Sequence, residues 1–166
     1  MVARSSIASI AVVLACSVLA LPAAAQPARS AQQLAELLQQ AMQSNDGDLI
    51  ERLVHKGADP SSIQRMKSLA ATIGKDQLVQ ARAIPADDRE AVATEEASYP
   101  VRGMYKPLAT RLQEAAERGF KPTLTPQGDI VLFIGPATKG SRGMKLNQQY
   151  GESGGVYYIV FNVRNP

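Results

Sequence analysis

Two runs near the C-terminal end constrain everything else in this chain. Ile130-Val131-Leu132-Phe133-Ile134 is short, apolar and β-branched, and is bounded by Gly128-Asp129 and Gly135-Pro136. Gly155 to Val163 (Val156-Tyr157-Tyr158-Ile159-Val160-Phe161) is longer and richer still in strand formers. Both have the length and side-chain type of strands. Neither alternates with polar residues. An unalternated strand buries both faces, so a sheet built on these runs needs cover from other elements. Only the upstream helical segments can provide it. The expected fold class is therefore α+β, a cluster of short antiparallel helices plus a helix-backed, three- to four-stranded antiparallel sheet.

The remaining strands follow from turn chemistry. Thr123-Leu124-Thr125 leads through Pro126-Gln127-Gly128-Asp129 into Ile130–Ile134, with Pro and Gly placed as a tight turn favours. Met144 to Tyr150 is the third expected strand and Val156 to Val163 the last, which makes a meander. Ahead of them, Lys106 to Arg118 reads as a helix with Leu108, Leu112, Ala115 and Ala116 along one stripe. Gly119 suits its left-handed cap. This helix is expected to lie on the sheet.

The N-terminal third is helical by pattern. Ser30 and Gln33 form a capping box before Leu34, Leu37, Leu38, Ala41 and Met42. Asp46 can cap a second helix carrying Leu49, Ile50, Leu53 and Val54, ended by Gly57. Ser61 or Ser62 starts a third, with Ile63, Met66, Leu69, Ala70 and Ile73 inward. Asp76 is expected to open a short fourth, with Leu78 and Val79.

Residues 41–80 resemble ankyrin-type helix pairs. Ala41, Leu49-Ile50, Leu53-Val54 and the turn Gly57-Ala58-Asp59-Pro60 are similar to one copy of that pattern. Leu69-Ala70-Ala71, Gly74 and Leu78-Val79 are similar to a second. The Thr-Pro-Leu-His opening is missing from both copies, and the second arrives four residues early. The resemblance implies stacked helix pairs and a protein partner. No family is recognised for the C-terminal half.

The first 25 residues read as a signal peptide. Arg4 gives the basic start, Ile7 to Leu21 the apolar core and Ala23-Ala24-Ala25 the cleavage site, with Gln26 the expected mature N-terminus. The expected compartment is periplasmic or extracellular. A minority alternative makes Cys16, after Val13-Leu14-Ala15, a lipid anchor. The apolar run is short for a membrane span, which needs roughly 20 residues, and the expected mature chain has no transmembrane segment. Cys16 is also the single cysteine. Cleavage removes it, leaving no disulfide, thiolate nucleophile or Cys-based metal site. About 140 residues remain, enough for a packed core. They divide into a helical region (26–84), an acidic linker or solvated helix (85–104), and a helix plus sheet (105–166). From Pro85 to Ser98 the chain carries Asp87, Asp88, Glu90, Glu95 and Glu96 against Arg89 alone, and from Tyr99 to Pro166 it is basic.

Few residues carry chemistry. His55 is the single histidine, so no multi-His metal site exists, and a surface histidine at a helix end is the plain reading. Gly135 to Ser141 only superficially resembles a phosphate loop. Its Lys139 precedes the second glycine and no amphipathic helix follows, so nucleotide binding is rejected. Glu114 and Glu117 sit at helical spacing beside Arg111 and Arg118, as local ion pairs. Asp129 reads as a turn residue. The Gly-rich segment Gly135–Gly155 carries Lys139, Arg142 and Lys145 with Tyr150, and a loop with three cations can hold an anion. The alternative is a mobile, solubilising loop. With no catalytic constellation evident, the expected function is non-enzymatic binding of another envelope protein, without cofactor or metal. The alternatives are an envelope hydrolase using carboxylates and an anionic ligand or polymer on the basic loop.

Overall fold

The computed structural model describes residues 26–100, 104–136 and 143–165. The expected signal peptide lies outside them.

The first helix, α1 (Ala31–Ser44), starts where its cap predicts. Ser30 Oγ accepts from the Gln33 N–H at 3.0 Å, and Gln33 Oε1 accepts from the Arg29 N–H at 2.7 Å. Its stripe, Leu34, Leu38, Ala41 and Met42, is fully buried. Asn45 takes the left-handed conformation at φ 54° and reverses the chain. The Asp46 carboxylate then caps α2 (Gly47–Leu53) through the Leu49 N–H at 2.9 Å. Asp59, not Ser61 or Ser62, caps α3 (Pro60–Thr72), with Pro60 in the first turn.

The expected fourth helix is instead a strand, β1 (Gln77–Pro85), paired antiparallel along its whole length with β3 (Gly128–Pro136). Ala81 and Ala83 favour helix locally. Pairing with a buried partner strand overrides that preference. Val79, Ala81 and Ala83 face the helices, while Leu78, Gln80 and Arg82 face away, a period of two. With Leu78-Val79 in a strand, the second ankyrin-like copy lacks its outer helix. Only the α1–α2 pair corresponds to the resemblance.

The chain continues through α4 (Arg89–Ala97), α5 (Leu108–Glu117), β2 (Phe120–Pro122), β3, β4 (Met144–Ser153), β5 (Val156–Val160) and β6 (Asn162–Arg164). The main sheet is antiparallel in the order β1-β3-β4-β5. The α+β architecture is as read, but β1 replaces Thr123–Thr125 as the fourth strand. Residues 120–122 pair instead with β6 in a separate two-stranded ribbon, because the last run breaks at Phe161 and leaves the main sheet.

Helices α1–α3 cover one face, closing over Val79, Ile130, Leu132, Ile134, Tyr150 and Ile159. The opposite face meets α4 and α5 around Ile84, Tyr105, Leu108 and Val131. Thus β3 is buried on both sides, as its composition requires. Where β1, β3 and β4 cross, Gly128 admits no side chain. A Cβ there would stand 2.3 Å from the Ile84 carbonyl oxygen and 2.7 Å from the Tyr150 ring. Gly128→Ala is expected to cost about 1–3 kcal/mol by overpacking, read as a shift in the urea midpoint.

The open edges of the sheet are mostly capped. Along β1, Gln43 Oε1 accepts from the Val79 N–H at 3.0 Å and Gln39 Oε1 from the Ala81 N–H at 2.9 Å. Gln43 Nε2 donates back to the Gln77 carbonyl at 3.1 Å. Along β5, the Tyr157 N–H donates to Ala28 O, and the His55 N–H donates to Ile159 O, both at 2.9 Å. These groups satisfy an edge that would otherwise recruit another chain.

Candidate functional site

The residues expected to bind an anion do not come together. Lys139 and Arg142 lie outside the described residues. Lys145 and Tyr150 belong to β4, so the long loop expected over Gly135–Gly155 is mostly strand, closed by the turn Gly154-Gly155. Their side chains emerge from opposite faces of β4. Tyr150 is buried in the helix-side core.

Lys145 is held in an ion cluster on the other face. Its Nζ donates to Glu95 Oε1 at 3.1 Å and to Ser98 Oγ at 2.6 Å, and lies 4.7 Å from the Tyr99 ring centre. Arg82 of β1 bonds the second Glu95 oxygen. The Tyr99 hydroxyl donates to Asn147 Oδ1 at 3.0 Å. Glu95 is 0% exposed. The segment read as an acidic linker or solvated helix therefore inserts one carboxylate into the structure, where two cations from the sheet compensate it.

A second cluster lies on the same face. Asp129, read as a turn residue, sits in β3 at 1% exposure. Both its oxygens accept from the Arg111 guanidinium, and the Tyr105 hydroxyl donates to Oδ2 at 3.3 Å. The expected local pairing of Arg111 with Glu114 or Glu117 gives way to this buried bond. Glu114 pairs with Lys106 at 2.5 Å instead. Sequence reading missed Glu95, Asp129, Arg82 and Arg111. The one available signal was that acids at the C-terminal end of α4 oppose its dipole and need a compensating partner.

Burial, reinforced by Asp129, pushes the Tyr105 hydroxyl from 10.0 up to about 12. Burial, then the neighbouring Tyr157, does the same to Tyr150. In both cases folding favours the protonated form. The stability so contributed is present below pH 10 and is lost as pH rises towards about 12. A spectrophotometric tyrosinate titration is expected to show a late-ionising fraction that shrinks in Tyr105→Phe and in Tyr150→Phe. A single step at ordinary tyrosine pH would refute both assignments.

His55 lies beyond the end of α2, where Val54 bridges to Ile159 of β5. Its ring meets Tyr158 edge-on at 5.5 Å, and Nδ1 is buried without a partner among the described residues. It is an edge-capping residue, not the helix-terminal surface histidine expected. Among the described residues no group of three or more His, Cys, Asp or Glu side chains can hold a metal ion, and no helix is long and apolar enough to cross a membrane.

A groove of about 420 Å³ lies beside β4. One wall is apolar, from Met66 and Leu69 of α3 with Leu146 and Phe161. The other is polar, from Asn147, Gln149, Asn162 and Arg111. Residues from both faces of β4 line it, so it follows the strand's edge. Two buried acceptors in its wall, Gln149 Oε1 and Asn162 Oδ1, have no hydrogen-bond partner among the described residues.

No protein-family profile, curated protein or solved structure matches this chain.

Proposed function

We propose that this is an exported, non-enzymatic binding protein that takes another protein of the cell envelope into the groove beside β4. The observation that carries this reading is the groove's composition. Its apolar wall and its polar wall of Asn147, Gln149 and Asn162 lie side by side, and a bound polypeptide supplies side chains for one and hydrogen-bond partners for the other. Export rests on the Arg4, Ile7–Leu21 and Ala23–Ala25 pattern.

The alternatives have less support. A carboxylate hydrolase needs an acid or base free to exchange a proton with substrate. Glu95 borders a cleft of about 610 Å³, but Arg82 and Lys145 occupy its oxygens. Asp129 is likewise committed to Arg111. An anionic ligand on the 135–155 segment loses Lys145, whose charge is spent on Glu95.

The test places a photo-cross-linking residue at Leu69 in the groove, or at Glu36 on the exposed side of α1, in cells making the protein. A discrete protein adduct at Leu69 and none at Glu36 is expected in the envelope fraction, on a chain beginning at Gln26. Equal labelling at both positions, or none at either, would reject the reading.

A further inference from the structure

One stretch of sheet edge lacks the caps found elsewhere. The β4–β5 ladder begins at Gln149, so Met144–Gln148 have β3 on one side and no strand on the other. The direction of their backbone groups follows from the hairpin. Ser153 and Val156 close the turn Gly154-Gly155, whose φ values of 62° and 77° suit a two-residue reversal. The closing pair of such a turn is hydrogen-bonded, and bonding alternates along the strand. Ser153, Gly151 and Gln149 therefore point to β5. Tyr150 points the other way, and its carbonyl accepts from the Gln127 N–H at 2.7 Å. Carried forward, Lys145 and Asn147 direct their N–H and C=O outward from the open edge, Asn147 beside the groove and Lys145 just beyond its lining. Among the described residues none of these groups has a hydrogen-bond partner.

The capped edges give the contrast. Side chains from α1 block β1, and Ala28 and His55 block β5. At 144–148 the flanking elements instead stand back and leave the groove.

We infer that Met144–Gln148 is a strand-addition site, and that its occupant is an extended, acidic segment of a partner protein with alternating apolar and polar side chains. This rests on the groove reading above and names what enters it. A strand laid in the plane of β4 has two faces. One meets Met66, Leu69, Leu146 and Phe161, the other Asn147, Gln149, Asn162 and Arg111. Alternation is therefore required. Acidity follows from charge. The lining holds no Asp or Glu, and of its two arginines Arg111 is already neutralised by Asp129. Arg65 bonds Ser62 Oγ at 3.2 Å and, among the described residues, has no carboxylate partner. A second copy of this chain would bring the same acid-free lining and no counter-charge for Arg65, which disfavours a β4–β4 dimer.

The experiment adds to the purified protein a fluorescent synthetic peptide alternating Val with Thr and Glu. Anisotropy gives affinity, and residue-resolved hydrogen exchange gives backbone protection. Binding is expected to slow exchange at the Lys145 and Asn147 amides. N-methylating the peptide on its pairing edge is expected to weaken binding roughly 10- to 100-fold, the loss of two backbone bonds. Replacing Glu by Lys, or Arg65→Glu in the protein, is expected to weaken it severalfold at low salt and less at high salt.

Equal affinity of the N-methylated peptide, without protection at Lys145 and Asn147, would overturn strand addition while leaving groove binding intact. No binding by any peptide, together with no adduct at Leu69, would remove both. Protection of both amides in the free monomer would show that the chain fills its own edge. Concentration-dependent protection without peptide would show a second copy there. Either result overturns the proposal.

Discussion

Arg111→Met is expected to destabilise the fold by about 3–5 kcal/mol at neutral pH. Asp129 is 1% exposed, and both its oxygens are bonded to that guanidinium. Among the described residues the other donor to it is the Tyr105 hydroxyl. Without Arg111 the carboxylate stays in a strand buried on both faces, with its charge uncompensated. Arg111→Met with Asp129→Asn should recover most of the loss, because the amide leaves no buried charge to compensate. Urea unfolding of the three proteins at neutral pH tests this. A double variant no better than the single would show that the ion pair is not what Arg111 contributes.

Leu38→Ala is expected to cost about 2–5 kcal/mol. Leu38 is the centre of the α1 stripe, with Leu34 and Met42 one turn to either side, and all three are fully buried. Truncation leaves a cavity under the helix that also supplies the caps of β1. Loss of α1 packing should therefore also speed hydrogen exchange at the Val79 and Ala81 amides, which Gln43 and Gln39 hold. Gln40→Ala, on the exposed side of α1, should stay within about 0.5 kcal/mol of the parent. If both substitutions cost the same, the stripe is not the core contact described.

The two kinds of residue differed in how readable they were. Ser30 and Asp46 announce their helices because a cap acts on backbone three residues away. Ile130–Ile134 announces a doubly covered strand because its composition leaves no wet face. By contrast, Gln77–Pro85 reads locally as helix, and only its partner, some fifty residues on, makes it a strand. Glu95 looks like one acid among five in a solvated stretch. Arg82 and Lys145 reach it from strands that sequence spacing does not place side by side. The groove is harder still. It exists because β5 stops at Val160 and the chain turns away to pair with β2.

From its amino acids alone this chain settles that it has helices with one apolar stripe and strands with two buried faces, because periodicity and capping act over a few residues. Which strand pairs with which, which carboxylates are buried under cations and which stretch of edge stays open depend on groups far apart in the chain. Those outcomes turn on the free energy of desolvating charges and backbone together, and that is set only when the layers close.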